Sequence, residues 1–317
     1  VRLAYTRLNN DEITEAQELL NEVIRKYPND PASYQASYLL GVANLEQSEY
    51  GKANSTWRGI LESNSLDPAA KEWRDSLFAL GSAQYHVTSA RMSKQNDLET
   101  MLSATESEAE QEKGNPETNI VEWNESITRL SEFVRRYPEQ ENHFEGQYLL
   151  ARAYQKSAKE YQAKLKRAQI ANEKQELAKE YHQRLRVARQ ILEQLRLALT
   201  KQEEDGLDEF ESRLLQNTYF DLGDISYATQ EYDSALLAYG SAINRYPDHI
   251  RVLLSYLQMS HCYDRLNKPE ESRSTLKQAQ ILAQRMGDKA FQSSSTSLRT
   301  RQEWADWFEW MLKMSAN

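Results

Sequence analysis

The stretch NTYFDLGDISYATQEYDSALLAYGSAINRYP, residues 217–247, decides the fold. Tyr219, Leu222 and Gly223 fall at helical spacing on a first segment, and Tyr232, Ala235, Tyr239 and Ala242 do so on a second. Gly223 and Ala235 are small where two antiparallel helices must cross closely, and Tyr219 and Tyr239 fill the wider gaps on either side. Pro247 ends the unit, because proline cannot continue a helix and pushes its predecessor out of the helical region.

The same register reappears elsewhere. Gly223 and Ala235 are 12 apart; so are Ala4 and Ala16, Gly41 and Ala53, and Ser260 and Ser272. A large residue follows four further on in each unit: Leu20, Trp57, Tyr239 and Leu276. Three second segments close alike, at Tyr27-Pro28, Tyr137-Pro138 and Tyr246-Pro247, and each aromatic is expected to pack back on the last helical turn. Two further units break the spacing: Gly81 pairs with Ile127, 46 residues on, and Ala151 with Ala188, 37 on. Both excesses lie between the two helices of a unit. Residues 147–205 hold neither Gly nor Pro, so both helices of the fourth unit should be extended into a long hairpin turning near Asn172. In the third unit a lengthened first helix and a polar loop ending near Pro116 are expected. The inserted segments, about 88–118 and 160–184, should lie side by side as a projecting arm.

Composition agrees with stacked helical hairpins. Only 10 Gly and 7 Pro occur in 317 residues, too few for the many tight turns of a sandwich, barrel or propeller. Hydrophobic residues make up 39% and charged residues 27%, which suits units that each bury one stripe. The fold class is therefore all-α: a solenoid of about six helical hairpins over residues 1–286, with a long helical insertion in the middle. Residues 287–317 read as a loop, with a possible N-cap at 293–297, followed by a helix carrying Trp304, Trp307, Phe308, Met311 and Leu312. That helix is expected to cap the apolar face of the last hairpin.

The spacing of small and large residues resembles the tetratricopeptide repeat, a 34-residue helix–turn–helix, over about residues 1–286. The Tyr-Pro endings also look like those of bacterial envelope members of that family, of the outer-membrane-assembly lipoprotein and division-coordinator kind. The resemblance implies a right-handed superhelical solenoid with a concave groove lined by the first helix of each hairpin. Three residues before the small positions stand Tyr38, Phe78, Tyr148, Phe220 and Leu257; four after stand Leu45, Tyr85, Gln155, Tyr227 and Asp264. The two offsets differ by seven, so both rows share one helix face. Arg152 and Asp224 stand one past the small position. The candidate partner-binding residues are therefore Tyr38, Phe78, Tyr85, Tyr148, Arg152, Phe220, Asp224 and Tyr227. Aromatic rings offer contact area at low side-chain entropy cost. Some family members clamp a terminal carboxylate with Lys and Asn at such positions; Tyr38, Phe78, Val42 and Ser82 stand there instead.

No catalytic chemistry is legible. The five histidines make no HExxH, and no nucleophile elbow, P-loop or dinucleotide fingerprint occurs. No metal site and no cofactor is expected. Cys262 is the only cysteine and reads as a buried thiol, while Glu106, Glu108, Glu110 and Glu112 read as a solvated face. The net charge of −9 disfavours a nucleic-acid binder with a broad positive surface. No apolar stretch reaches membrane-spanning length. The expected function is a non-catalytic scaffold that binds a peptide or partner domain. An α/α-toroid glycan-active enzyme is the competing reading, and a structural module that oligomerises through the arm or the Trp-rich helix is a third. The chain opens at Val1 within a helical pattern, so a signal or anchor upstream and an envelope location are expected, with the cytoplasm as alternative.

Overall fold

The computed structural model describes residues 1–28, 30–63, 65–102, 116–204, 206–292 and 300–314. Among them fourteen helices and no strand occur. The expected polar loop before Pro116, the carboxylates Glu106, Glu108, Glu110 and Glu112, and the possible cap at 293–297 lie outside the described residues. The helices form two compact units, Val1–Arg184 and Leu185–Asn317, with the boundary inside one long helix.

The first unit holds α1 (Arg2–Asn9), α2 (Ile13–Lys26), α3 (Pro31–Glu46), α4 (Tyr50–Glu62), α5 (Lys71–Leu102), α6 (Pro116–Arg136), α7 (His143–Arg167) and the start of α8 (Ala171–Gln202). The second holds the rest of α8, then α9 (Glu209–Ala228), α10 (Tyr232–Arg245), α11 (Arg251–Arg265), α12 (Pro269–Arg285), α13 (Asp288–Gln292) and α14 (Arg301–Met314). Consecutive helices pack against one another from α1 to α7 and from α9 to α12, as in stacked helical hairpins.

The small positions do what the spacing requires, and the glycines do more. A Cβ on Gly41 would lie 2.5 Å from Cε2 of the buried Trp57 indole, and one on Gly223 would lie 2.5 Å from the Tyr239 ring. Both rings stand 16 residues after their glycine. Where the first small residue is Ala4 or Ser260, the residue 16 on is the smaller Leu20 or Leu276. Glycine thus accommodates an aromatic knob that alanine or serine would exclude. Tyr239 therefore packs against the small position itself rather than filling a gap to one side of it.

The third hairpin corrects the register by one residue. Ser126, not Ile127, faces the crossing: its hydroxyl donates to the Gly81 carbonyl at 2.9 Å, and Leu130 packs over Gly81. The insertion removes the fixed spacing that phases the other hairpins, so counting residues leaves two adjacent candidates. Ser126 fits because it is small and its hydroxyl finds a partner, as the buried Ser260–Ser272 pair does at 2.8 Å.

The turns within hairpins use a device absent from the composition. Asp11, Ser48, Gln230 and Asn267 all have φ between 57° and 63°, and each stands seven residues after a small position. The next amide reaches back to close the helix end: Glu12 to Arg7, Glu49 to Asn44, Glu231 to Ser226 and Lys268 to Tyr263, at 2.8–3.0 Å. The chain thus makes its left-handed caps without glycine, at some steric cost. Gln230→Gly is expected to raise the urea midpoint of unfolding, by about 0.5–1 kcal/mol of stability; an unchanged or lower midpoint contradicts that.

The inserted segments lengthen helices as expected. α7 and α8 span 25 and 32 residues, but they turn over residues 168–170, so Asn172 already lies in α8. Ala168 leaves the helix with ψ 139° and is nearly buried, although neither Gly nor Pro marks the break. The lengthened ends of α5, α6 and α7 touch: Arg91 Nη2 donates to Asn119 Oδ1 at 2.9 Å, and Asn119 Nδ2 donates to Glu160 Oε2 at 3.1 Å. Burial pushes the Glu160 carboxyl pKa up.

Tyr137 and Tyr246 pack back over their hairpins. The Tyr137 hydroxyl donates to the Pro68 carbonyl at 2.6 Å, and the Tyr246 ring lies 5.8 Å from that of Tyr219. Tyr27 departs from the expectation and stands exposed. In the second unit α14 lies on α12, with Trp304 and Phe308 fully buried among Leu253, Leu276, Ala279 and Ala283.

Candidate functional site

The residues expected to line the first-helix face divide into two kinds. Tyr38, Phe78, Tyr148, Arg152, Asp224 and Tyr227 are half-buried. Tyr85 and Phe220 are not groove residues: Tyr85 is 8% exposed and Phe220 1%. Tyr85 packs on Trp123 of α6 at 5.6 Å. Phe220 lies under the Arg251 guanidinium at 4.9 Å and beside His249 at 5.3 Å. The offset rule put them on the right side of the helix, but a ring there turns inward whenever the neighbouring helix leaves room.

In the first unit the remaining row is Tyr38, Phe78 and Tyr148, one ring on each of α3, α5 and α7. Burial and the Asp75 carboxylate push the Tyr38 phenol up to about 12, so it stays a neutral donor at any physiological pH. Its backbone carbonyl accepts from the Trp57 indole at 3.1 Å, which fixes α3 against α4. Phe78 leans on Phe133, with ring centroids 5.0 Å apart. Arg152 Nη1 donates to Gln155 Oε1 at 2.8 Å.

In the second unit Asp224 is engaged in holding helices together. It accepts from the Tyr239 hydroxyl at 2.8 Å and from Arg251 Nη2 at 3.0 Å. Arg251 also donates to Asp221 at 2.7 Å, and Asp221 is 0% exposed. Burial first, then the Asp224 charge, drives the Tyr239 phenol pKa far up. This network joins α9, α10 and α11, so Asp224 serves packing before it serves a ligand. Tyr227 sits 5.9 Å from Tyr232.

Two clefts lie on the opposite, second-helix side, which the sequence reading did not single out. In the first unit one of about 380 Å³ opens between α4 and α6 over α5, lined by Arg58, Leu80, Gln84, Asn124, Glu125 and Thr128 among others. In the second unit one of about 460 Å³ opens between α8 and α10 over α9. Its lining includes Arg196, Leu197, Tyr219, Leu222, Ser234 and Leu237. The two occupy the same place in the repeat. Leu80 and Gln84 stand one before and three after Gly81, and Leu222 and Ser226 stand likewise about Gly223. A recurring bond lies at their edge: Asn54 donates to Gln84 at 3.3 Å, and Arg189 to Ser226 at 3.2 Å. Gln17 bonds Asn44 at 3.0 Å in the corresponding position between α2 and α3. The signal was present in the sequence as polar residues one past the small position of a second helix, paired with polar residues three past that of the next first helix.

Cys262 is fully buried and its thiol is pushed up to about 12, chiefly by burial. Among the described residues no group of three or more His, Cys, Asp or Glu is placed to hold a metal ion, and no helix is long and apolar enough to cross a membrane.

Two segments match models of the tetratricopeptide repeat: residues 1–68, which span α1–α4, and residues 218–249, which span α10 and part of α9. No curated protein matches the chain. Among solved structures, a tetratricopeptide repeat protein from Parabacteroides merdae is 12% identical, with 100% of this chain and 97% of that one covered and a TM-score of 0.37. The C-terminal part of a repeat-containing protein from Cytophaga hutchinsonii is 13% identical over 99% and 90%, with a TM-score of 0.46. A thermophilic repeat protein from Thermus thermophilus is 14% identical over 86% and 97%, with a TM-score of 0.35.

Proposed function

We propose that the protein is a non-catalytic scaffold whose first-helix face in the first unit holds a peptide or partner domain. Tetratricopeptide repeats in general serve protein–protein interaction, and two segments of this chain match that repeat. The observation that carries the finer reading is the row Tyr38, Phe78 and Tyr148, each half-buried with an edge left to solvent, at one register on three successive first helices. Such a row presents rigid, amphipathic area on a packed backbone, the arrangement that concentrates binding energy in a few side chains. Arg152, one turn beyond Tyr148, adds a cation to its end.

The test is a variant carrying Tyr38→Ala and Tyr148→Ala. Both rings keep some exposed surface, whereas truncating the buried Phe220 would damage the core. Partner captured by the wild-type chain and identified by mass spectrometry should bind the variant at least about tenfold more weakly, as expected for two anchor residues. Helicity should be unchanged. Equal affinity for wild type and variant removes the first-helix face from the function. An envelope location rests on the Tyr-Pro endings and is checked by fractionating cells that express the full gene product.

A further inference from the structure

The two second-helix clefts share a position in the repeat but not a chemistry. In the first unit the lining includes Leu80 and the exposed Val121, and an ion pair spans the cleft: Arg58 Nη2 lies 4.0 Å from Glu125 Oε1, from α4 across to α6. In the second unit the residue equivalent to Arg58 is Glu193 and that equivalent to Glu125 is Ser234, so no such pair can span it. The residue equivalent to Thr128 is Leu237, which is 75% exposed, and Leu197 on the facing helix is 60% exposed. Leu222 and the Tyr219 ring form the floor between them. One exposed leucine is ordinary; two facing each other over an apolar floor form a patch that water covers poorly.

The charges of this cleft are sorted along its length. α8 and α10 run the same way over it, from Arg189 and Ser234 at one end to Arg196 and Ser241 at the other. The first end is satisfied internally, with Arg189 on Glu231 at 2.7 Å and on Ser226 and Thr229. At the other end two guanidiniums lie against the Tyr219 ring, Arg196 at 5.6 Å and Arg245 at 5.4 Å. Arg245 also pairs with Glu203. Arg196 is turned onto the ring and, among the described residues, onto no carboxylate. That end therefore carries a surplus cation, half-shielded from water by an aromatic face, where a carboxylate gains more than at an open surface. Glu193, about one turn before Arg196, repels a carboxylate from the middle and so fixes where the acidic group must lie.

We propose that this cleft docks an acidic amphipathic segment of a partner protein: an aliphatic side chain enters between Leu197, Leu222 and Leu237, and a neighbouring carboxylate meets Arg196. The lining from Ser234 to Ser241 covers about two helical turns, so a segment of two or three turns suffices. This site is separate from the first-helix face and does not depend on it.

The probes are two fluorescein-labelled helical peptides of about four turns with the same leucine positions, one with Glu and one with Lys on the polar face. Binding to the full chain is read by fluorescence anisotropy at about physiological salt. The Glu peptide should bind at least tenfold more tightly than the Lys peptide, even though the chain's net charge of −9 favours the Lys peptide at long range. Arg196→Glu should reverse the preference, and Leu237→Asp should weaken both peptides at least tenfold. Neither side chain is buried, and unchanged circular dichroism establishes that the variants fold. The Tyr38→Ala, Tyr148→Ala variant should bind the Glu peptide as the wild type does, which separates failure of this site from failure of the first-helix face. The proposal is overturned if neither peptide binds, if the Lys peptide binds as well as the Glu peptide, or if Leu237→Asp changes neither affinity. It is also overturned if the wild-type chain sediments as a dimer that Leu237→Asp dissolves, since the occupant is then a second copy.

Discussion

Gly41→Ala is expected to destabilise the protein by about 2–3 kcal/mol, although alanine is the better helix former by about 1 kcal/mol. The new Cβ would fall within the Trp57 indole. Trp57 is fully buried, and its Nε1 donates to the Tyr38 carbonyl at 3.1 Å, so the ring cannot yield without losing that bond and opening the α3–α4 crossing. The decisive measurement is a double-mutant cycle with Trp57→Leu, read by urea denaturation. Trp57→Leu by itself is destabilising, because it empties part of a packed crossing. In that background, however, Gly41→Ala should become neutral or stabilising, since the pair then copies Ala4 and Leu20, both buried at the corresponding crossing of the first hairpin. A cost below about 0.5 kcal/mol in the wild type, or a cost that persists once leucine has replaced the indole, contradicts the glycine–aromatic pairing.

Arg251→Ala should cost about 3–4 kcal/mol, more than truncating any exposed arginine of the chain, because it takes the cation away from a buried carboxylate. Asp221 has no exposed surface and would lose its 2.7 Å partner. Asp224 would keep only the Tyr239 hydroxyl of the bonds described above, and Phe220 would lose the guanidinium that covers it. Removing the charge at the other end should relieve much of this: the combination of Arg251→Met with Asp221→Asn is expected to be more stable than Arg251→Ala alone, with packing kept and no buried ion left unpaired. Thermal unfolding of wild type and both variants decides it. If Arg251→Ala loses less than about 1 kcal/mol, the pair is a surface ion pair in its energetics and α11 is held to α9 by apolar contacts alone.

The candidate face was half legible. Tyr38, Phe78 and Tyr148 could be placed on first helices from their distance to a small residue, and there they stand. The same rule placed Tyr85 and Phe220, which turned out to be core, since helical spacing gives the direction of a side chain but not the room that the next helix leaves beside it. Asp224 had the right position and a different task, because Arg251, which claims it, lies 27 residues away. The second-helix clefts were missed for a related reason. Each needs three helices, and a pattern read along one helix does not show the gap between its neighbours.

Counting along the chain was enough for the helical hairpins and their close crossings, because those depend on local quantities: small residues 12 apart, proline after tyrosine, and the lack of breakers from 147 to 205. The phase of the third hairpin at Ser126, the turn over 168–170, the left-handed caps at Asp11, Ser48, Gln230 and Asn267, and the choice of which aromatics face solvent emerged only in three dimensions. Those outcomes are set by what lies across a gap from each residue, and contacts of that kind carry no fixed spacing along the chain.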